Sequence, residues 1–264
     1  MADHFNHHRE PELVFQPLND RRYTEFYDLE VARFQEDLIF YRQYCSRPNK
    51  ILELGCGSGR LCHVLAADGA GMTGIDLNLT MLVRARKRPG PSINYLQMDM
   101  NRLGLKGPFD TIIIAYNTLN LLQQQDVILS CLRQTASLLR SSGFLLLQLY
   151  IPDQALLNIG DKRLFQFQSF DLPHGGRVIK ETLKGYSASK QCITLEERYR
   201  VRPMQPGTAN EDLSHTLHLA ALSHEQWIAI LHKAGFIILE QFGGYDFRPY
   251  DGGTCLLVHG RKST

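Results

Sequence analysis

The segment from Lys50 to Arg60, KILELGCGSGR, constrains the fold of this 264-residue chain more than any other. An apolar run of strand type leads directly into three glycines at alternating positions, Gly55, Gly57 and Gly59. Because glycine has no side chain, a backbone of this kind can lie flat against a bulky ligand. The sequence therefore predicts a strand, a glycine loop and a helix that together begin a ligand-binding site.

Apolar segments of strand length alternate with helical patterns around and after this loop. The sequence predicts strands at residues 51–54, 71–75, 93–98, 109–115 and 143–149. It predicts helices at residues 60–67, 80–87 and 123–139. Strands that are apolar along their whole length and lie between helices indicate a parallel sheet covered on both faces.

The flanking segments have different patterns. Residues 21–45 carry apolar side chains at helical spacing without glycine or proline and predict one amphipathic helix. Residues 154–222 alternate polar and apolar side chains, as half-exposed antiparallel strands do. A helix and two strands are predicted at residues 224–234, 236–242 and 255–259. We therefore predict an N-terminal helical cap, an α/β domain and an antiparallel β insertion, at residues 1–47, 48–153 with 223–264, and 154–222.

The composition is that of an ordinary globular protein, with 44% hydrophobic and 21% charged residues. Twenty-nine basic residues against 27 acidic ones give no reason to expect a nucleic acid partner. The polar N-terminus lacks the apolar core of a signal peptide, and no apolar run reaches the ~20 residues that a membrane span needs. We expect a cytoplasmic protein with no membrane partner, and a homodimer is compatible with the sequence.

The cysteine pattern bears on metals and disulfides. The chain has six cysteines, at positions 45, 56, 62, 131, 192 and 255, and none of them forms a Cys-x-x-Cys pair. This spacing predicts neither a zinc site nor a disulfide framework, so we expect no metal.

Two common nucleotide sites fit the glycine loop poorly. The dinucleotide fingerprint Gly-x-Gly-x-x-Gly needs a small residue where this chain has Arg60. A Walker site needs Gly-Lys-Ser or Gly-Lys-Thr after the loop, and neither is present. The ligand of this loop is therefore expected to be of another kind.

The motifs ELGCGSGR, GIDLN and QMDM resemble those of the class I methyltransferases that use S-adenosylmethionine. The resemblance covers roughly residues 27–149, with a weaker similarity near the C-terminus. It implies an α/β fold with a doubly wound, seven-stranded, mostly parallel sheet. In this family an antiparallel β insertion commonly serves as a lid over the substrate.

The resemblance also assigns residues to S-adenosylmethionine, which presents an ammonium group, a ribose diol and an adenine amino group as hydrogen-bond donors. It implies that Glu53 lies near the ammonium group, that Asp76 binds the ribose hydroxyls, and that Asp99 accepts from the adenine with Met100 beside the ring. The remaining cofactor-binding candidates are Tyr27, Gly55, Cys56, Gly57, Gly59, Leu77, Met81 and Ala115. Asp99 is equally explained as a turn residue, and Tyr27 as a residue that only packs.

The acceptor is expected at residues 115–121, AYNTLNL, which follow the fourth strand of the sheet. This segment lacks the Asn-Pro-Pro-Tyr or Asp-Pro-Pro-Tyr signature of enzymes that methylate base amines or glutamine, and it resembles that of small-metabolite enzymes. Tyr116 and Asn117 are the candidates to contact the acceptor. If a general base is needed, His174, His215 and His218 are candidates, although each is also explained as a surface or packing histidine.

We therefore expect methyl transfer to an oxygen or nitrogen of a small metabolite by in-line displacement. Two alternatives stay open at this point. One is a methyltransferase acting on RNA or protein, and the other is a regulatory protein that binds S-adenosylmethionine without transferring its methyl group.

Overall fold

The computed structural model describes residues 14–45 and 49–263. The first elements are β1 (Gln16–Pro17), α1 (Asp20–Val31) and α2 (Glu36–Tyr44). The central part comprises β2 (Lys50–Leu54), α3 (Arg60–Ala67), β3 (Gly71–Asp76), α4 (Leu79–Arg86), β4 (Asn94–Gln97), β5 (Phe109–Ile114), a 3₁₀ helix (Thr118–Leu122), α5 (Gln125–Leu138) and β6 (Leu139–Tyr150). The remainder comprises α6 (Gln154–Leu157), β7 (Leu164–Asp171), β8 (Gly176–Ser187), β9 (Cys192–Pro203), β10 (Glu211–Ala220), α7 (His224–Lys233), β11 (Phe236–Phe242) and β12 (Cys255–Lys262).

The main sheet has seven strands in the order β11-β12-β6-β5-β2-β3-β4. β2 to β6 pair in parallel, and β12 is antiparallel to both β6 and β11. Six strands therefore run in one direction and β12 runs against them. The predicted seven-stranded, mostly parallel sheet is confirmed.

Alternate residues of the central strands fill two separate hydrophobic clusters, one on each face of the sheet. Leu52 and Ile112 pack with α5 and α7 on one face, whereas Ile51 and Ile113 pack with α2, α3 and α4 on the other. All four side chains are fully buried. The largely apolar strands thus belong to a sheet covered on both faces, as predicted.

The prediction of a single helix at residues 21–45 is wrong, because the chain forms α1 and α2 with a break between them. Phe34 lies in this break. Its ring centroid is 5.9 Å from that of Tyr116 and 5.6 Å from that of Tyr245, and it lies 5.4 Å from the guanidinium carbon of Arg60. These contacts come from distant segments, and the chain leaves the helical path where they form.

A second sheet has the order β1-β10-β9-β8-β7, and its four long strands are antiparallel. They come from the segment predicted as an antiparallel insertion, and Gln16–Pro17 adds a short parallel strand beside β10. The ring of Phe26 stacks on that of Tyr199 at 4.8 Å, so α1 packs on one face of this sheet. Within residues 14–45 and 49–263, no helix combines the length and the apolar character that crossing a bilayer requires.

Candidate functional site

A cavity of about 520 Å³ lies at the carboxyl ends of β2 and β3. Its wall contains nine of the predicted cofactor-binding residues: Tyr27, Glu53, Gly55, Cys56, Gly57, Asp76, Leu77, Met81 and Ala115. Ligands of open α/β sheets bind at this edge of the strands. We name this space the donor cavity.

The glycine loop forms one wall of the donor cavity in a conformation that excludes side chains. Gly55 and Gly57 have φ angles of 72° and 54°, in the left-handed region. A Cβ atom at Gly55 would collide with the side chain of Thr118, and one at Gly57 would lie 3.6 Å from the ring of Tyr27. The loop therefore leaves its main chain open to a ligand beneath Tyr27, as a cofactor cradle requires.

Asp76, the last residue of β3, ties the loop to the next helix. Its Oδ2 accepts a 2.8 Å hydrogen bond from the backbone N–H of Gly57, and its Oδ1 accepts one of 2.8 Å from Asn78. Burial raises the pKa of this carboxyl group above its ordinary value, although the backbone hydrogen bonds oppose the shift. A carboxylate has about four lone-pair sites, so two remain for a pair of ligand hydroxyls.

Glu53 lies at the inner end of the donor cavity and is almost fully buried. The thiol of Cys62 donates a hydrogen bond of 2.9 Å to its Oε2. Burial raises the pKa of Glu53 to about 7, against the opposing effects of Cys62 and Arg60. A cation placed beside Glu53 would favour its ionised form.

Arg60 is a residue of the donor cavity that the sequence analysis did not assign to the cofactor. Its guanidinium group donates to Phe34 and forms an ion pair with Asp37, whose side chain is only 2% exposed. The buried Nε atom of Arg60 has no hydrogen-bond partner among the residues described. A carboxylate, such as that of the methionine part of S-adenosylmethionine, fits this arginine. Its position directly after the third glycine of the loop is the sequence signal that could have identified Arg60 as a cofactor-binding candidate.

Three predicted cofactor residues, Gly59, Asp99 and Met100, do not line the donor cavity. Gly59 is the N-cap of α3, where a Cβ atom would collide with the hydroxyl of Tyr95. Asp99 caps a turn by accepting from the backbone N–H of Asn101 at 2.8 Å, and Met100 packs against the main core. Asp99 therefore occupies the alternative role of a turn residue, and Gln97 lines the cavity instead.

A second cavity, of about 820 Å³, adjoins the donor cavity on the side of the antiparallel sheet. Four residues line both spaces: Tyr23, Tyr27, Tyr116 and Leu121. Tyr27 and Tyr116 meet edge to face at 6.2 Å between ring centroids. We name the second space the acceptor cavity, because a molecule in it would meet a molecule in the donor cavity at these four residues.

Tyr116 and Asn117, the predicted acceptor-contacting residues, both line the acceptor cavity. His174 does not, since it lies in the exposed turn between β7 and β8. Its position therefore does not support the predicted catalytic role. Among the residues described, no histidine lines either cavity.

The inner wall of the acceptor cavity carries a buried cluster of charged groups. Lys180 Nζ lies 2.8 Å from Glu30 Oε2 and 2.8 Å from Glu197 Oε1. Glu197 Oε2 lies 2.6 Å from His215 Nε2 and accepts a hydrogen bond of 2.9 Å from the hydroxyl of Tyr199. We call these five residues the lysine cluster.

Interactions within the lysine cluster shift the pKa values of Glu197 and Lys180. Burial alone would raise the pKa of Glu197, but the hydrogen bond to His215 and the charge of Lys180 lower it to about 2. Burial opposes the charge of Lys180, yet its two carboxylates raise its pKa above the ordinary value. Glu197 and Lys180 are therefore both charged at neutral pH.

Comparison with known proteins identifies the family of the domain that forms the donor cavity. Residues 51–143, which span β2 to the start of β6 and contain the glycine loop, match a family model described as a methyltransferase domain. The chain contains a class I methyltransferase domain. Members of this class use S-adenosylmethionine as the methyl donor, and the predicted enzyme class and cofactor are confirmed at the level of the domain.

Two curated relatives match about half of the chain. YqeM of Bacillus subtilis (strain 168), a methyltransferase by name, is 30% identical over 132 residues, which are 46% of this chain and 53% of the relative. A cypemycin N-terminal methyltransferase of a Streptomyces species is 29% identical over 147 residues, which are 55% of this chain and 58% of the relative. The chain thus spans about half the length of the curated relatives it matches.

Solved structures show that the likeness in fold extends over nearly the whole chain. A methyltransferase from Clostridium acetobutylicum ATCC 824 aligns with a TM-score of 0.76 at 16% identity and covers 92% of this chain and 98% of its own. The sugar N-methyltransferase KedS8 from Streptoalloteichus sp ATCC 53650 has the same TM-score and identity, and covers 97% and 98%. At this identity the comparison shows a shared fold over nearly the whole chain.

Proposed function

We propose that the whole chain is an enzyme that transfers the methyl group of S-adenosylmethionine to an oxygen or nitrogen of a small metabolite in the cytoplasm. The observation that carries this proposal is the junction of the two cavities at Tyr23, Tyr27, Tyr116 and Leu121. A donor on the glycine loop and an acceptor beside the second sheet would approach each other only there.

The donor cavity has a group for three polar parts of the cofactor. Asp76 would hold the ribose hydroxyls, Glu53 the ammonium group and Arg60 the carboxylate. The bound sulfonium supplies an electrophilic methyl group that is open to in-line displacement.

The protein would contribute mainly by position and by excluding water. Holding two reactants in line within a closed site supplies much of the acceleration of such a transfer. Tyr23 and Tyr27 from α1 and Tyr116 from the loop after β5 form the aromatic wall around the junction. Burial raises the pKa of Tyr23 and of Tyr116 to about 12, so both hydroxyls stay protonated and orient an acceptor by donating hydrogen bonds.

The size and enclosure of the acceptor cavity support a small-molecule acceptor. Its volume of about 820 Å³ lies within the ~300–1,000 Å³ typical of pockets for drug-sized ligands. Its wall combines aromatic and aliphatic side chains with a few charged ones, which is the usual composition of such pockets. The acceptor would therefore be larger than a single functional group and would be bound over most of its surface.

The experiment that tests the function compares two acidic residues by calorimetric binding of S-adenosylhomocysteine. Asp76→Ala should weaken binding about a hundredfold or more, because two charge-assisted hydrogen bonds to the ribose are lost. Asp99→Ala, the matched control, should bind within about twofold of wild type, since Asp99 faces a turn. Unchanged binding in Asp76→Ala, with an unaltered melting temperature, would overturn the proposed donor site.

Turnover is tested separately by incubating the wild-type protein with methyl-labelled S-adenosylmethionine and fractionated metabolites. Label in a small acceptor supports the proposal. Label only in added RNA or protein would select one of the alternatives that the sequence left open. Tight cofactor binding with no transfer to any fraction would indicate a regulatory binding protein instead.

A further inference from the structure

Helix α1 brings a carboxylate close to the junction of the two cavities. Tyr23, Tyr27 and Glu30 are spaced by four and three residues, so they share one face of the helix. The two tyrosines line both cavities, and Glu30, one turn further on, lines the acceptor cavity. Glu30 thus adjoins the place where an acceptor atom would meet the donor.

The hydrogen bonds of the lysine cluster occupy one of the two carboxylate oxygens of Glu30. Lys180 bonds one oxygen of Glu30 and one of Glu197, while the second oxygen of Glu197 is taken by Tyr199 and His215. Oε1 of Glu30 has no hydrogen-bond partner among residues 14–45 and 49–263. Glu197 is consequently saturated with donors, whereas Glu30 keeps an open acceptor oxygen.

The charges of the wall are unevenly distributed. At the inner end, Glu30 and Glu197 face the single lysine Lys180, and His215 adjoins Glu197. The other lysine of the cavity, Lys184, is four residues further along β8, about 13 Å away in an extended strand. Glu30 and Glu197 share this one lysine and His215 pairs with Glu197, so Glu30 is the carboxylate that keeps an oxygen for an added cation.

We propose that Glu30 binds a cationic amine of the acceptor through Oε1, and that the methylated atom is a nitrogen. This inference rests on the proposed function and narrows it, because an oxygen acceptor was equally open above. A hydroxyl acceptor has no positive charge to pair with the open oxygen of Glu30, whereas an amine binds there in its ammonium form. An amine attacks with its own lone pair once its ammonium form has lost a proton.

The proposed transfer balances without any further reactant. The carbon–sulphur bond breaks and its electron pair remains on sulphur, while the nitrogen lone pair forms the new carbon–nitrogen bond. The proton that the ammonium group loses beforehand passes to water. Glu30, held by Lys180, orients the nitrogen.

The test measures retention of paired probes by protein saturated with S-adenosylhomocysteine. The probes are primary amines of increasing size, from ethanolamine to benzylamine and 2-amino sugars, each beside its hydroxyl counterpart. Wild type should retain at least one amine over its counterpart, and Glu30→Gln should reduce that retention about tenfold or more, as expected for a hydrogen bond to a charged group. Glu25→Gln, a partly exposed position on the same helix that lines neither cavity, is the matched control and should behave as wild type.

Two results would overturn the inference. The first is that no amine is retained better than its hydroxyl counterpart, and the second is that Glu30→Gln retains the amines unchanged. Unaltered affinity of Glu30→Gln for S-adenosylhomocysteine shows that the variant is folded and that the donor site is intact. Failure of the proposed function would appear instead as loss of donor binding in wild type, so the two failures are distinct.

Discussion

The side-chain oxygen of Gln148 accepts a 2.8 Å hydrogen bond from the backbone N–H of Tyr116 and a second hydrogen bond from the hydroxyl of Tyr245. Tyr116 and Asn117 have φ angles of 52° and 60°, in the left-handed region. Such residues persist only where the surroundings hold them, at a cost of the order of 1–3 kcal/mol each. Gln148 is thus the side chain that fixes the strained segment at the junction of the two cavities.

Gln148→Leu should lower kcat for methyl transfer while leaving the affinity for S-adenosylhomocysteine within a fewfold of wild type. The variant keeps the buried volume but removes the acceptor of the Tyr116 N–H, which should also cost about 1–3 kcal/mol of stability. Single-turnover transfer and denaturant unfolding measure the two effects. Tyr245→Phe is the control, because it retains the hydrogen bond that the Tyr116 N–H donates to Gln148. An unaltered kcat in Gln148→Leu would contradict the role given to this bond.

The stability of the protein should depend on pH through Glu53, whose pKa burial raises to about 7 from 4.5. Between these values the folded protein keeps a proton that the unfolded chain has lost, so the free energy of unfolding falls as pH rises. The stabilisation is complete below pH 4.5 and is lost by about pH 7, a change of about 3 kcal/mol. Urea unfolding at several pH values, for wild type and Glu53→Gln, should show a slope that only the wild type has. The same dependence of unfolding free energy on pH in both proteins would contradict the role given to Glu53.

Cofactor binding should release a proton through the same residue. If the ammonium group of S-adenosylhomocysteine lies beside Glu53, it favours the ionised carboxylate, and affinity should rise with pH up to about 7. Calorimetry at pH 6 in two buffers of different ionisation enthalpy measures the released proton. Glu53→Gln should show neither the proton release nor the rise in affinity. Equal proton release by the variant would place the ammonium group elsewhere.

The lysine cluster should stabilise the protein above acidic pH. The folded pKa of Glu197 is lowered to about 2 from 4.5, so its contribution is fully present above pH 4.5 and is lost as pH falls towards 2. At pH 7, Glu197→Gln should therefore be less stable by about 3 kcal/mol, and the difference should narrow between these two pH values. Glu196→Gln, the neighbouring position with a more exposed side chain, should show little change. A difference that stays constant with pH would contradict the ion-pair origin.

Sequence patterns predicted those parts of the protein that local chemistry determines. The central strands are largely apolar because both faces of the sheet are covered, and this can be read directly from residues such as Ile112 and Ile113. Asp76 could be placed at the edge of the sheet because a strand end after a glycine loop fixes its location, and it lines the donor cavity. The break between α1 and α2 was missed because Phe34 is held by Tyr116 and Tyr245, which are far away in sequence.

Other placements depend on contacts or turns that strand and helix patterns do not encode. The orientation of Asp99 depends on a turn with Asn101, which a strand pattern does not encode. The alternating strands of the insertion left their inward face undecided, and the structure places Glu197 and Tyr199 on the cavity wall. His174 stands before Gly175 and Gly176, a turn signal that the sequence did contain.

Helix α1 supplies Tyr23 and Tyr27 to both cavities, so neither compartment can be reshaped alone. Enlarging the space for a bulkier acceptor by trimming Tyr23 also removes part of the wall around the methyl donor. Variants selected for new acceptors at this position should therefore hold the donor less well, and a compensating change on the glycine-loop side would be needed to recover it.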